Sequence, residues 1–356
     1  MGKFRILVIN PGSTSTKIAL FEDKEQAFRK SIPHSREELA SYNKIVDQYE
    51  FRKDVILKTL QEMDVDIKTL SCVVGRGGLL RSIPSGTYKV NKQMLEDLRV
   101  GLQGEHASNL GGILAHSIAE PLGIPAFIVD PVVVDEMWDI ARISGMPEIK
   151  RRSIFHALNQ KAMARAAARD LGRSYEDVNL VVAHLGGGIS VGAHRKGKVV
   201  DVNDALNGEG PFAPERAGGL IAWDVAKMAF SGEYTPDELR KKIAGKGGIV
   251  AYLGTNDMRE VERRIAEGDK KAEMVYKAMA YQVAKEIGAM AAAMYGEVDA
   301  IVITGGLARD EQFVSWVKER VSFIAKVMIY PGEDEMRALA LGALRVLKGE
   351  EQAREY

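Results

Sequence analysis

The sequence predicts an α/β protein of two related lobes, each a mixed sheet flanked by helices, and three observations carry that prediction. The first is residues 4–21, an apolar strand, a hydroxyl-rich turn (Gly12, Ser13, Thr14, Ser15, Thr16, Lys17) and a second strand. The second is an echo 174 residues on, where the apolar run 180–185 leads into Gly186-Gly187-Gly188 and then Ile189-Ser190-Val191-Gly192-Ala193-His194. Asn10 overlays His184 and Gly12 overlays Gly186. The third is the alternation of strand and helix patterns through both halves, the mark of sheets covered by helices. Turns of this kind aim backbone N–H groups and short hydroxyl donors at an anion, phosphate above all. Two of them in one chain point to two lobes that grip a polyphosphate.

The bulk properties allow this. At 356 residues the chain has the length of about two domains, each large enough for its own core. Lys+Arg and Asp+Glu number 49 each, so nothing favours nucleic acid as a partner, and any anion site is local. The single cysteine, Cys72, excludes an intramolecular disulfide and a cysteine metal cluster. Set in Ser-Cys-Val-Val-Gly, it reads as a buried strand thiol. A strand entered at Phe4 leaves no room for a signal peptide, and Ile6 stands where a myristoylation motif needs Ser or Thr. The longest apolar run, 287–296, is far short of the roughly 20 residues a membrane span needs. We expect a cytoplasmic protein with no membrane partner.

The elements follow in order. After the first two strands, residues 28–32 can form a third, and Ser35 with Glu38 forms a capping box that opens a long helix. Leu39, Val46, Tyr49, Ile56, Leu60 and Met63 run along it mainly at helical spacing. A strand at 72–75, helices at 91–102 and 108–122, and a strand at 126–129 ending in Asp130-Pro131 complete the first half. The second half opens with a helix over 153–171, with Ser153 as its N-cap, and strands at 180–185, 189–193 and 198–202. Helices are expected at 223–230 and 235–242, the latter opened by a Thr235/Glu238 capping box, and at 270–294. Strands at 300–304 and 327–330 and a closing helix over 333–348 finish the chain.

This order sets the expected lobes at 1–131 plus 335–356, and 132–334, with the last helix returning to the first lobe. Two such lobes with phosphate turns at matching places describe the duplicated ribonuclease-H-like, actin-like ATPase architecture. No Gly-x-x-x-x-Gly-Lys-[Ser/Thr] sequence occurs, which excludes a P-loop. Gly208-Glu-Gly210-Pro-Phe-Ala213 fits a dinucleotide fingerprint by letters only, because it follows a polar stretch and contains Pro211.

Several local groups resemble one family, the acetate and butyrate kinases. Asn10-Pro-Gly-Ser-Thr-Ser-Thr-Lys17 is similar to its first signature, Asn-x-Gly-Ser-x-Ser-x-Lys. His184-Leu-Gly-Gly-Gly188-Ile-Ser is similar to its second, His-Leu-Gly-x-Gly-x-Ser. Phe127-Ile-Val-Asp130 resembles the strand ending in the family's catalytic aspartate, Ile154-Phe-His156 its Phe-His element, and Pro211-Phe-Ala-Pro214-Glu-Arg216 its Phe-Thr-Pro segment. Leu253-Gly-Thr-Asn-Asp257-Met-Arg259 and Val298-Asp-Ala-Ile-Val-Ile-Thr-Gly305-Gly306 resemble its adenosine-binding end. The resemblance runs in order from residue 4 to residue 347 and fits the butyrate and branched-chain fatty acid kinase branch better than the acetate branch.

What the resemblance implies is transfer of the ATP γ-phosphoryl group to a short-chain carboxylate, butanoate + ATP = butanoyl phosphate + ADP. Such a transfer needs alignment and charge neutralisation rather than a covalent protein intermediate. The acid is already ionised at neutral pH, so the obstacle is bringing one anion against another, which calls for arginines, a metal ion and glycine-loop amides. The implied catalytic residues are Arg76, Asp130, His156 and Arg216. Arg76, at a strand end among Gly75, Gly77 and Gly78, would hold the carboxylate or the transferring phosphoryl. Asp130, with Asn10, would anchor Mg2+ directly or through water, although Asp-Pro is also a common turn opening. His156, in the first turn after Ser153, would donate to a phosphoryl oxygen beside the helix's positive end, and Arg216 would clamp the same group.

Asn10, Ser13, Ser15, Lys17, His184, Gly186, Gly187 and Gly188 would lie along the phosphates, and Asp257, Arg259, Gly305 and Gly306 would bind adenosine. The acetate branch's Gly-Ile-Gly-Glu-Asn brings a glutamate toward the metal, where this chain has Gly306-Leu-Ala-Arg309-Asp310. Where that branch has Leu-His-Asn-Pro-Pro-Asn beside its acyl pocket, this chain reads Glu105-His106-Ala107-Ser108-Asn109. Ala107 and Ser108 would leave the space that prolines narrow, with Leu79 and Leu80 as an apolar wall. The resemblance also implies a homodimer or an assembly of dimers, and the apolar, small-residue stretch 287–294 is either its interface or lobe core. Competing readings are an acetate, propionate or isobutyrate kinase, a sugar kinase of the same fold, and a nucleotide-dependent interaction protein. A peptide-binding chaperone would need an appended domain, and a repressor a DNA-binding helix-turn-helix before the first strand.

Overall fold

The structure, a computed structural model, describes residues 2–356. They divide into two compact units, one formed by the chain up to Val134 together with Asp334–Tyr356, the other by Asp135–Glu333.

The first unit is built on six strands: β1 (Arg5–Pro11), β2 (Ser15–Glu22), β3 (Glu25–Pro33), β4 (Cys72–Arg76), β5 (Thr87–Lys89) and β6 (Ala126–Val129). They lie in the order β3-β2-β1-β4-β6-β5, with β1, β4 and β6 parallel and the remaining pairs antiparallel. Ile6, Leu7, Val8 and Ile9 are all fully buried, so β1 is a central strand covered on both faces. The two covering helices can be told apart on β6. Ile128 lies beneath Gly112 of the helix Asn109–Ala119, while Val129, on the other face, touches Gly342 of the helix Glu335–Leu347. The first helix sits almost on the sheet backbone, since a Cβ on Gly75 would lie 2.0 Å from the Gly111 carbonyl oxygen. The last helix packs on β1, β4 and β6. Cys72 is buried, and burial pushes its thiol up to about 12, so it is an inert core group.

The second unit holds β7 (Asn179–Leu185), β8 (Ile189–Arg195), β9 (Lys198–Val202), β10 (Ala300–Gly305) and β11 (Lys326–Pro331) in the order β11-β10-β7-β8-β9. Here β7, β10 and β11 are parallel, and β7-β8-β9 is an antiparallel meander. Counted within its own unit, each sheet therefore runs third, second, first, fourth strand and onward, and β5 is an addition at the edge of the first. Alternate residues of β7 enter different cores. Leu180 and Val182 pack with the helix Ala157–Asp170, and Val181 and Ala183 with the helix Lys270–Ala293.

Several expectations need correction. The long helix after Ser35 is broken: its capping box forms, but the helix ends at Ala40, and the next one begins at Tyr49. Residues 41–44 carry no apolar periodicity, and Lys44 is extended (φ −125°, ψ 152°). The helix expected over 153–171 begins only at Ala157, so Ser153 is not its cap and His156, at φ −79°, ψ 61°, occupies the cap position itself. Pairing of Ile143 with Lys150 and of the Arg151 N–H with the Arg142 carbonyl holds the approach to this helix out of helical geometry. The Thr235/Glu238 capping box is present. Strand β5 and the helices Met258–Ala266 and Glu311–Val321 had no counterpart in the sequence reading. Of the stretch 287–294, Ile287, Met290, Ala291 and Met294 lie in the core of the second unit, and Ala289 and Ala292 are exposed.

Candidate active site

In the first unit the candidate residues gather at the C-terminal edge of the parallel strands. Ile9 pairs with Gly75 and Arg76 with Val129, so Asn10, Arg76 and Asp130 leave three adjacent strands at the same level. Such an edge is where open α/β sheets bind ligands. Asn10 and Arg76 are joined by a residue the sequence reading did not single out. The Glu335 carboxylate oxygen Oε2 accepts from Asn10 Nδ2 at 2.8 Å and from Arg76 Nη1 at 2.6 Å. Glu335 is the first residue of the last helix. Its only sequence signal is the acidic run Glu333-Asp334-Glu335 just after a Pro-Gly turn at a strand end.

Asp130 is held differently. It is buried, and its Oδ1 accepts from Ser85 Oγ at 2.7 Å and from the Gly86 N–H at 2.8 Å. Its backbone is left-handed at φ 38°, a conformation that costs energy outside glycine and gathers at functional positions. These bonds leave Oδ2 for another partner.

The first glycine turn is clamped from beneath by an arginine that the sequence reading passed over. Arg52 is 1 % exposed, and its hydrogen bonds go to backbone carbonyls, a hydroxyl and an amide oxygen. Its Nη1 donates to the Gly12 carbonyl at 2.8 Å, to Thr16 Oγ1 at 3.1 Å and to the Ser15 carbonyl at 3.3 Å. Its Nη2 donates to Gln48 Oε1 at 2.8 Å and to the Ser13 carbonyl at 3.3 Å. Burial lowers its pKa to about 10, so it remains a cation at neutral pH. With its carbonyls drawn down to this guanidinium, the turn leaves Ser13 and Lys17 exposed and Ser15 half-buried. Arg52 was recognisable as an arginine on the buried face of its helix, at helical spacing with Ile56, Thr59 and Leu60.

The four acyl-pocket candidates also share one place, next to Arg76. Asn109 ties the segments together, donating to the Gly104 carbonyl and accepting from the Leu79 N–H at 2.8 Å. Leu80, Ala107 and Ser108 are buried, while Leu79 is half-buried. His106, whose Nδ1 lies 2.8 Å from Ser108 Oγ, has its pKa lowered first by burial and then by Arg76.

In the second unit, His184 at the end of β7 and His156 at the helix start stack face to face, with ring centroids 3.8 Å apart and planes inclined by 12°. His184 places Nδ1 2.7 Å from Asn159 Oδ1 and Nε2 3.2 Å from Glu333 Oε1. His156 places Nδ1 2.8 Å from Ser190 Oγ. Asn159, Glu333 and Ser190 are further residues that sequence reasoning left out, although Ser190 lies inside the glycine motif. The turn closes by a Gly186 N–H to Gly188 carbonyl bond of 3.1 Å, with Gly187 exposed. A Cβ at Gly188 would lie 2.0 Å from Arg216 Nη1, so the guanidinium rests on the turn where only glycine gives it room. Arg216 donates to the Ala205 carbonyl, and burial lowers its pKa, opposed by the charges of Glu215 and Asp204.

The adenosine candidates are two separate features. Gly305, at φ 93°, lies against Leu185, where a Cβ would meet the carbonyl oxygen at 2.3 Å. Gly306 is exposed, and a Cβ there would meet nothing within 4 Å. Asp257 caps the helix Met258–Ala266 and binds Arg259 through Nε at 3.0 Å and Nη2 at 2.8 Å. Arg259 is exposed, and its hydrogen bond to Asp257 holds that carboxyl below the usual aspartate range.

Two sheets with one strand succession and a glycine turn at the first hairpin of each define the duplicated actin-like ATPase fold. The same fold is seen in a solved acetate kinase from Porphyromonas gingivalis, which superposes with a TM-score of 0.81 at 21 % identity over 97 % of this chain and 100 % of that one. The chain belongs to the acetokinase family, whose pattern residues 146–330 match. It is 58 % identical over 354 residues to butyrate kinase 2 of Clostridium acetobutylicum, covering 99 % of each chain. It is also 56 % identical over 353 residues to butyrate kinase 1 of that organism, again covering 99 % of each.

Proposed function

We propose that this chain is a carboxyl-group phosphotransferase that moves the ATP γ-phosphoryl group to butyrate, butanoate + ATP = butanoyl phosphate + ADP. The observation that carries this reading is the full-length identity of 58 % to a butyrate kinase. Family membership brings ATP use, and the site chemistry supports an anionic acceptor, because Arg76, Arg216 and the two glycine turns supply cations and N–H donors. In this reading Arg76 holds the carboxylate or the transferring phosphoryl, His156 and Arg216 stabilise the phosphoryl oxygens, and Asn10, Ser13, Ser15, Lys17, His184 and Gly186 to Gly188 line the phosphates. Asp257, Arg259, Gly305 and Gly306 receive adenosine, with the open face of Gly306 as the support for a flat base. Well-placed donors of this kind are worth roughly 3–4 kcal/mol each at the transition state.

Magnesium fits the residues of the first unit. Asn10, Glu335 and Asp130 are hard oxygen donors at one parallel-strand edge, and Asn10 Oδ1 and Asp130 Oδ2 are not used by the bonds that hold their side chains. Among the described residues no group of three or more His, Cys, Asp or Glu forms a metal cage. A site of this kind suits an ion that binds through one or two carboxylates and the substrate phosphates. When bound, the ion offsets the phosphate charge.

No helix among the described residues is long and apolar enough to cross a membrane. We place the enzyme in the cytoplasm as a homodimer or an assembly of dimers. The test of function is hydroxamate trapping of the acyl phosphate formed from ATP and butyrate. Butanoyl hydroxamate formed in step with ADP is the expected result. ADP formed only with a sugar as acceptor would overturn the reading.

A further inference from the structure

Ser190, on β8, is the last link before His156 in a buried line of hydrogen bonds that leads from Tyr175 through His194 and Gln160. Three contacts reach its hydroxyl: His156 Nδ1 at 2.8 Å, the His156 backbone N–H at 3.4 Å, and Gln160 Nε2 at 2.8 Å. The Gln160 amide can face only one way. Its Nε2 also lies 3.0 Å from the Ser190 carbonyl oxygen, which accepts and never donates. Its Oε1 therefore faces His194 Nε2 at 2.9 Å, and that nitrogen must carry a proton. His194 Nδ1 then accepts from the Tyr175 hydroxyl at 2.7 Å. This requires a neutral ring, and burial, reinforced by Lys161 and Arg165, drives the His194 pKa well below its ordinary value. Gly192 makes the arrangement possible, because a Cβ there would lie 2.7 Å from Gln160 Oε1. At Ser190 the two N–H donors occupy both lone pairs of the hydroxyl. Its single proton is left with one acceptor, His156 Nδ1.

We propose that Gln160, Ser190 and His194 are positioning residues that fix the tautomer of His156, keeping Nδ1 an acceptor and the proton on Nε2. The inference rests on the functional reading above only in what Nε2–H addresses, an oxygen of the transferring phosphoryl group. A neutral ring with this tautomer is a donor without being a cation. That matters because the His184 ring is stacked 3.8 Å away, and two positive rings in such a stack would repel. The opposite tautomer would turn a lone pair toward the phosphoryl oxygens and cost the transition state a hydrogen bond. Gln160 touches no reacting atom in this scheme and acts through Ser190.

The test is 15N-histidine NMR of the full chain, with His156 assigned by the signal lost in His156→Gln. Wild type should show a protonated Nε2 and an unprotonated Nδ1. Gln160→Glu keeps the shape but reverses the bonding. A carboxylate beside Ser190 accepts the hydroxyl proton, freeing the Ser190 oxygen to accept from His156, so the proton should move to Nδ1. In the same variant kcat for butyrate should fall about ten-fold or more, with KM for ATP within about two-fold of wild type. Ser190→Ala, should Gln160→Glu fail to fold, should give a mixture of both tautomers. A wild-type His156 protonated at Nδ1, or an unmoved tautomer in a folded Gln160→Glu or Ser190→Ala, would overturn the proposal. Failure of the functional reading is distinguishable: the NMR pattern would stand while no butanoyl hydroxamate formed.

Discussion

Arg52 shows how much of a site lies beneath the residues a motif names. Its guanidinium holds three backbone carbonyls of the first glycine turn and the Thr16 hydroxyl, with Gln48 as its only side-chain amide partner. Arg52→Met keeps the apolar stem and removes every one of these donors, leaving buried acceptors unpaired at a cost of about 1–3 kcal/mol each where water cannot reach them. We expect the first unit to lose at least about 3 kcal/mol by denaturant unfolding. A loss under about 1 kcal/mol would mean that water replaces the guanidinium and that the turn holds itself. Other parts of the site were open to reading from sequence for a local reason. Asn10 and Arg76 sit at strand ends beside glycines, a pattern visible within a few residues. Glu335 was not legible, because it meets Arg76 across 259 residues of chain and only the folded sheet brings them together. Gln160 and Asn159 were hidden in the same way, as polar residues in an alanine-rich helix whose partners lie on other strands.

At the scale of elements, periodicity located the central strands well because burial on both faces gives continuous apolar runs, as in β1, β6 and β7. It failed where tertiary bonds override local preference. The short β5 is held by pairing with β6 and by the chain near Arg354, neither of which its own residues announce. The start of the helix at Ala157 is likewise set by pairing upstream, not by Ser153. The helix Lys270–Ala293 carries a testable charge. Glu286 lies near Asp201 and Glu209, which already share Arg151, at 2.9 Å to Asp201. Burial first, and then Glu209, raise the Glu286 carboxyl from its ordinary 4.5 to about 7. The folded state thus keeps a proton that the unfolded chain has released, so the stability this group contributes is complete below about 4.5 and lost as the pH rises through about 7. Glu286→Gln should therefore gain stability over wild type between pH 5 and pH 8, reaching a few kcal/mol in order of magnitude at the upper end. Denaturant unfolding at the two pH values checks this, and a pH-independent difference would contradict it.

For the whole molecule, the echo between residues 4–21 and 180–194 anticipated the repeated strand succession, since a hairpin carrying a glycine turn is the local kernel of each sheet. What sequence could not supply is which surfaces remain uncovered. In the stretch 287–294, Ile287, Met290, Ala291 and Met294 serve the core, while Ala289 and Ala292 on the other face stay exposed. The helix Ala222–Ala229 has no buried residue, and Ile221, Trp223 and Phe230 on or beside it are 72, 71 and 91 % exposed. An apolar patch of that kind needs a cover, and a second copy of the chain is the expected one. Light scattering at micromolar concentration should give at least twice the 39.1 kDa of one chain, and a monomer alone would contradict it. In the proposed reading Ala107 and Ser108 leave the space that prolines would narrow, and each of the two further methylenes of butyrate buried there would be worth about 0.8 kcal/mol. Their sum favours butyrate over acetate by about 1.6 kcal/mol, or roughly fifteen-fold. Hydroxamate trapping with ATP across a panel of C2 to C6 acids measures this directly. We predict a kcat/KM for butyrate about ten-fold or more above that for acetate, and an acetate value equal to or above that for butyrate would contradict the account.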